Sequence, residues 1–284
     1  MQANRHIKEI NSEKLKISPD VAYVFGALCG DGSVRFKKAR KYRVELVLRV
    51  NDLDFAKYFK EKLSKWINYD FKIHKEKQQI HAKINGIKTK RKPFRYSVIF
   101  GTSDRKFYKF IKHFDFTTEN WFVPKNILKS NDVRMAASFI KGFADSEGSI
   151  AKRSINLSSS NSGGLKQIVP LLRKVGITEE FGKIPIQNLN LTIYGRKNLE
   201  TFLKVIGFSI KRKQKSLEKL VNTYEKNYCR PLESYKKVKE LRNKGYKIMK
   251  ISERMNIPYG TVHDWLSDRH RPLFTKRLNL EFDT

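Results

Sequence analysis

The sequence predicts an α+β protein built from two related αββαββα units followed by a small all-α domain. Three observations lead there. Residues 24–32 (Val-Phe-Gly-Ala-Leu-Cys-Gly-Asp-Gly) and 140–148 (Ile-Lys-Gly-Phe-Ala-Asp-Ser-Glu-Gly) fall into register when Gly26 is set on Gly142, which places Gly30 on Ser146, Asp31 on Glu147 and Gly32 on Gly148. After each segment the hydrophobic period switches between helix and strand in the same order, the signature of an internal repeat. Near the end, three short apolar patterns follow one another at helix-turn-helix spacing. The expected divisions are a tail at 1–17, a first repeat at 18–120, a second at 121–224, and a linker with the helical domain at 225–284.

The first helix has a cap and a proline start in Ser18-Pro19-Asp20, then apolar Val21, Val24, Phe25 and Leu28, with Gly32 expected to close it. Segments 33–38 and 42–50 read as a hairpin turning at Ala39-Arg40-Lys41, with Val44, Leu46 and Leu48 alternating against Arg43, Glu45, Val47 and Arg49. Phe55, Phe59, Leu63 and Trp66 mark a helix. Two strands, 71–85 and 94–101, are expected around a basic loop at Gly86, and a helix at 104–114 completes the unit. The second copy opens with cap candidates Ser130-Asn131-Asp132. It repeats the order as strands in 149–160, a helix at 164–175, a hairpin of 181–187 with 189–194, and a helix at 197–206. A helix at about 213–224 follows, then a linker at 225–233 and the three helices 235–241, 248–255 and 259–266, separated by Gly245 and Pro258.

Composition narrows the function. The 284 residues are 39% hydrophobic and 12% aromatic, enough for a core, and the net charge is +32, from 60 Lys and Arg against 28 Asp and Glu. Such a surplus repels itself and points to a polyanionic partner. Two distant cysteines, Cys29 and Cys229, and six scattered histidines exclude a zinc-finger pattern. No apolar run reaches membrane-spanning length and the first residues do not form a signal peptide, so the expectation is a cytoplasmic protein with no membrane partner.

The paired segments carry the chemistry. Gly26 and Gly30 lie four apart, as do Gly142 and Ser146, a spacing that lets two helix backbones approach closely. Side by side, the helices bring Asp31 and Glu147 together at their negative ends, where two carboxylates repel unless a cation joins them. Oxygen ligands favour Mg²⁺ (or Mn²⁺), with the carbonyls of Gly30 and Ser146 as further donors. Asp145 aligns with Cys29 rather than with an acid, which leaves it a supporting or capping role.

These segments resemble the LAGLIDADG motifs of homing endonucleases in their two-motif, single-chain form, over about residues 18–224. The resemblance implies motif helices at the subdomain interface, final acids that bind divalent metal, and saddle-shaped antiparallel sheets lying along the DNA major groove. It also implies a basic residue near the metals, for which Lys213 in Lys211-Arg212-Lys213-Gln214-Lys215 is the match; Arg49 is the weaker candidate in the first copy. Expected catalytic residues are therefore Asp31, Glu147 and Lys213. Expected DNA-binding residues are Arg35, Lys37, Arg43, Arg49, Lys75, Lys77, Lys83, Arg95, Lys152 and Arg153 in the repeats. The C-terminal domain resembles resolvase-like and homeodomain-like helix-turn-helix units, and adds Tyr259, Thr261 and His263, beside Arg269, His270 and Arg271.

The implied activity is metal-dependent cleavage of both strands of double-stranded DNA at a long asymmetric site by a monomer. The chain begins at Met1 and ends Phe282-Asp283-Thr284 without a His-Asn terminus, which reads as an intron-encoded enzyme rather than an intein. Two alternatives stand beside it: a DNA-binding transcription regulator that pairs a degenerate domain of this family with a helix-turn-helix, and an RNA maturase with intron RNA as partner.

Overall fold

The computed structural model describes residue 10 and residues 15–37, 42–78, 81–84, 87–90, 92–228 and 232–269. The chain divides into two compact units, Met1–Glu218 and Lys219–Thr284.

In the first unit, helix α1 (Pro19–Cys29) starts where the Ser18 hydroxyl accepts from the Val21 N–H at 3.4 Å. All of Val21–Cys29 is buried, so α1 is a core helix, apolar on every side. It is followed by β1 (Gly32–Phe36), β2 (Val44–Val50) and α2 (Leu53–Ile67). The repeat continues through β3 (His74–Lys77), β4 (His81–Ile84), β5 (Ile87–Lys90), β6 (Phe94–Thr102) and α3 (Arg105–Lys112). A short helix, α4 (Lys125–Lys129), leads to α5 (Val133–Glu147), whose start is capped by Asp132 accepting from the Arg134 N–H at 2.9 Å. Then come β7 (Gly148–Ile150), β8 (Ile155–Ser158), α6 (Ser162–Lys174), β9 (Ile186–Gln187), β10 (Asn190–Ile193) and α7 (Arg196–Thr201), which runs on into a π-helical turn at Phe202–Ile206.

The repeat is complete at the level of topology. One antiparallel sheet has the order β1-β2-β6-β3 and the other β7-β8-β10-β9, two equivalent sequences of strands. Alternate residues form each core face: Leu46, Leu48, Val98 and Phe100 in the first sheet, Ile155, Leu157, Leu191 and Ile193 in the second, all 0–1% exposed.

Several local expectations change. Helix α1 ends at Cys29 with Gly30 as its cap, and Gly32 begins β1, because strand pairing with Leu48 already claims that residue. The single strand expected at 71–85 is two, β3 and β4, with β4 and β5 forming a separate two-stranded ribbon. Its turn at Gly86 lies outside the described residues, as does the turn at 39–41. The N-terminal segment is not wholly detached: Ile10 is buried and its N–H donates to Asp104 at 3.2 Å. Helix α8 (Lys211–Tyr228) extends past residue 224 into the first residues of the expected linker.

In the second unit, α9 (Leu232–Asn243), α10 (Ile248–Met255) and α11 (Tyr259–Leu266) enclose a core of Tyr235, Val238, Leu241, Ile251, Ile257, Val262 and Trp265. Gly245, at φ +83°, makes the turn between α9 and α10. No helix among the described residues is long and apolar enough to cross a membrane.

Candidate functional site

The site grows from the seam between α1 and α5. A Cβ on Gly26 would overlap the carbonyl oxygen of Phe139 and sit 2.9 Å from the Phe143 nitrogen; a Cβ on Gly142 would overlap the carbonyl oxygen of Tyr23 and sit 2.9 Å from the Ala27 nitrogen. The two contacts are reciprocal, as a pseudo-twofold axis between equivalent helices requires. One turn further on, a Cβ on Gly30 would meet the Ser146 side chain and lie 3.0 Å from Glu147 Cγ. Ser146 spans the seam, its hydroxyl donating to the Ala27 carbonyl at 3.3 Å. Small residues thus bring the helix ends together with the following acids.

Burial raises the pKa of both Asp31 and Glu147, and the negative charge of Asp31 raises Glu147 further. The positive charge of Lys213 acts in the opposite direction on both. The donor set at this end of the seam is all oxygen and carries two negative charges, with Asp31 exposed and Glu147 half-buried. That chemistry fits a hard divalent cation.

Lys213 sits on the first turn of α8 and is only 7% exposed. Its Nζ donates to the carbonyls of Asp145 at 2.6 Å, Ala144 at 3.1 Å and Ser146 at 3.5 Å. These carbonyls form the end of α5, where a cation is favoured; that of Ala144 also accepts from the Gly148 N–H. Burial pulls its pKa down, against the charge of Asp145. Beside it opens a cleft of about 380 Å³ lined by Ser146, Gly148, Ser149, Ile150, Arg212, Lys213 and Ser216. Arg212 is held by Asp52, with Nη2 to Oδ2 at 2.9 Å.

Asp145 is 1% exposed and works across the seam rather than at its end. It accepts from the Tyr23 hydroxyl at 2.7 Å and from the Ser209 N–H at 2.8 Å. Burial raises its pKa, and these two hydrogen bonds oppose that. Tyr23 and Ser209 were not singled out by sequence; a tyrosine at a position matched by Phe139 in the other motif was the available signal.

Strand register sorts the basic residues. Arg35 pairs with Glu45, Arg49 with Ser97, and Arg95 with Glu76, all on the sheet face opposite the core. Lys37 and Arg43 join them through Glu45, at 3.5 and 3.3 Å. The Arg49 Nε is buried and has no hydrogen-bond partner among the described residues. Lys75 and Lys77 pair with Tyr96 and Phe94 and so belong to the other face, with the Lys75 ammonium 3.9 Å from the Phe94 ring centroid. The two sets expected together are therefore on opposite sides of the sheet. Lys83 lies on the ribbon, opposite Lys88. Lys152 and Arg153 are exposed in the β7–β8 turn. On α11, Tyr259 is 52% exposed and stacks near His263, while Thr261 and His263 are half-buried. His270 and Arg271 lie outside the described residues.

Residues 134–207 match the LAGLIDADG-like domain family. The chain is 32% identical over 110 residues to the replication factor C small subunit of Methanocaldococcus jannaschii, a stretch that covers 37% of this chain and 6% of that protein. A solved structure of I-DmoI in complex with DNA and Mn superposes with a TM-score of 0.46 at 16% identity, over 67% of this chain and 97% of that one. The full-length DUF199/WhiA structure from Thermotoga maritima superposes with a TM-score of 0.40 at 17% identity, over 93% and 96%.

Proposed function

We propose that this chain, which carries a LAGLIDADG-like domain, is a site-specific endonuclease that cuts both strands of double-stranded DNA with a divalent metal. One observation carries the reading: reciprocal glycine contacts draw two helices together, with Glu147 as the last residue of α5 and Asp31 just past the end of α1. Because one chain supplies both acids, it acts as a monomer.

Asp31 and Glu147 would hold Mg²⁺ or Mn²⁺, with the Gly30 and Ser146 carbonyls as neighbouring donors. The bound cation would polarise the scissile phosphate and favour deprotonation of an attacking water. Lys213 directs its protons at the end of α5 and so fixes where Glu147 leaves the helix. Its charge, beside Asp31, also favours an approaching phosphate. The cationic face of the first sheet, with Arg35 and Arg49, and the Lys152-Arg153 turn of the second supply groups that anchor a duplex. Binding is expected to weaken with salt, with a log–log slope of about −0.9 per phosphate neutralised.

A second reading, a regulator that binds without cutting, draws on the three-helix unit with Tyr259 exposed on its last helix. One experiment separates the two. Duplexes enriched by binding to the full chain are incubated with Mg²⁺, Mn²⁺ or EDTA. The nuclease reading expects metal-dependent cutting of both strands, and at least about a hundred-fold slower cutting by Asp31→Asn and Glu147→Gln with binding retained. Full cutting by either variant removes the site assignment. Tight binding with no cutting in either metal supports the regulator.

A further inference from the structure

The two sheets share a topology and differ in chemistry. Each begins at the glycine after its motif acid, Gly32 after Asp31 and Gly148 after Glu147. On the face opposite the core, the first sheet carries the charged residues Arg35, Glu45, Arg49, Glu76 and Arg95 among Ser33, Val47, His74, Ser97 and Ile99. The equivalent face of the second carries Ser149, Asn156, Ser158, Asn190, Thr192 and Gln187. No residue of β7, β8, β9 or β10 is charged.

The glutamates are informative. A surface that only follows phosphates gains nothing from carboxylates, which repel them. Yet Glu76 accepts from Arg95 Nε at 2.7 Å and from the Ser97 hydroxyl at 3.0 Å, and Glu45 accepts from Arg43 at 3.3 Å. A guanidinium held beside a carboxylate suits a neutral base edge. The arginine donates to guanine O6 and N7, and the carboxylate accepts from the cytosine N4 amino group of the same or a neighbouring pair. The second face carries hydroxyls and amides; Asn190 accepts from the Ser158 hydroxyl at 2.6 Å and donates to the Asn188 carbonyl at 2.9 Å, which leaves one lone pair and one N–H for adenine N6 and N7, the bidentate partner of an amide.

We infer that the chain reads a site of unequal halves, a G·C-rich half through the acid-paired arginines of the first sheet and an A·T-rich half through the amides and hydroxyls of the second. This rests on the reading that the sheets face DNA. Glu45 and Glu76 are specificity residues here, and Asn156 and Asn190 are their counterparts.

The test is selection of a randomised duplex pool by the full chain in EDTA, where binding is read without cutting. The enriched site is expected to have one G·C-rich and one A·T-rich half. Substituting Glu76→Gln with Arg95→Gln should lower discrimination at one or two adjacent G·C positions by on the order of ten- to a hundred-fold and leave the other half unchanged. Substituting Asn156→Ala with Asn190→Ala should do the converse. An enriched site of even composition overturns the inference while leaving DNA binding intact. So does an Arg95→Gln variant that weakens every sequence alike and lowers the salt slope by about one, the mark of a phosphate contact. Failure to enrich any duplex overturns the DNA-binding reading itself.

Discussion

The seam between α1 and α5 and the packing behind it follow opposite rules. At the seam the two halves are alike: Gly26 rests on Phe139 and Gly142 on Tyr23, backbone against backbone. Behind it they differ. Phe25 enters an aromatic cluster with Trp66, Phe114 and Phe116 at 4.9–5.7 Å. Its equivalent, Lys141, instead donates to the Ile206 carbonyl at 3.0 Å and lies 5.4 Å from the Tyr58 ring centroid. Cys29 is matched by Asp145, which takes the Tyr23 hydroxyl. Backbone contact admits one solution, so the copies agree there. Side-chain packing admits many, so the copies are free to diverge, and a polar group on one side only makes the two halves unlike partners.

The largest expected effect comes from breaking the symmetric part. Gly142→Val or Gly26→Val places a branched side chain inside the opposite backbone. Overpacking of this kind, with no flexible neighbour to yield, should destabilise by about 3 kcal/mol or more. Thermal unfolding checks it, and an unchanged midpoint would show that the helices can part without loss.

The next contrast concerns two acids that lie two residues apart. Asp145→Ala leaves the Tyr23 hydroxyl and the Ser209 N–H buried without their acceptor, an expected loss of roughly 2–4 kcal/mol. Glu147→Gln removes one charge from a pair that repels and should leave stability equal or higher. Denaturant unfolding of both variants tests the division of labour. Equal losses would mean that Asp145 and Glu147 serve one structural network.

The seam was legible because its signal is local and repeated: small residues four apart, an acid, a glycine. The repeat also separates Glu147, matched by Asp31, from Asp145, matched by Cys29. Strand faces were less legible. His74-Lys75-Glu76-Lys77 contains no apolar residue, so nothing in it fixes which side chains point inward; pairing with Phe94–Ser97 does that. The end of α1 was ambiguous for a similar reason, since Gly30 and Gly32 both suit a helix terminus and only the pairing of Gly32 with Leu48 decides. The resemblance points to Lys213 as the basic residue beside the acids, but the sequence does not show what it binds. Its three carbonyl partners lie 67–69 residues earlier, beyond any local pattern.

A smaller effect is expected where that lysine closes α5. Lys213→Met keeps the buried stem and removes the charge and its hydrogen bonds to the helix end. The cost of unpaired carbonyls is offset by relief from burying an ammonium, for a net loss of about 1 kcal/mol. Cutting should fall more than stability does if the lysine positions Glu147, so a rate measured well below the unfolding temperature separates the two roles.

The smallest effect lies at the rim, where Asp52, just ahead of α2, links to α8 through Arg212 at 2.9 Å and to Lys92 at 3.2 Å. These hydrogen bonds hold the Asp52 carboxyl below its ordinary range. A carboxyl lowered on folding contributes stability that is complete above its unfolded value near about 4, and that disappears as pH falls through the lower folded value. Arg212 is more than half exposed, so solvent and salt screen the link and Arg212→Ala should cost only a few tenths of a kcal/mol at neutral pH. The difference between wild type and variant should shrink below about pH 4 and in high salt. If it persists in both conditions, the arginine acts through packing of its stem, and the rim obeys the same steric rule as the seam.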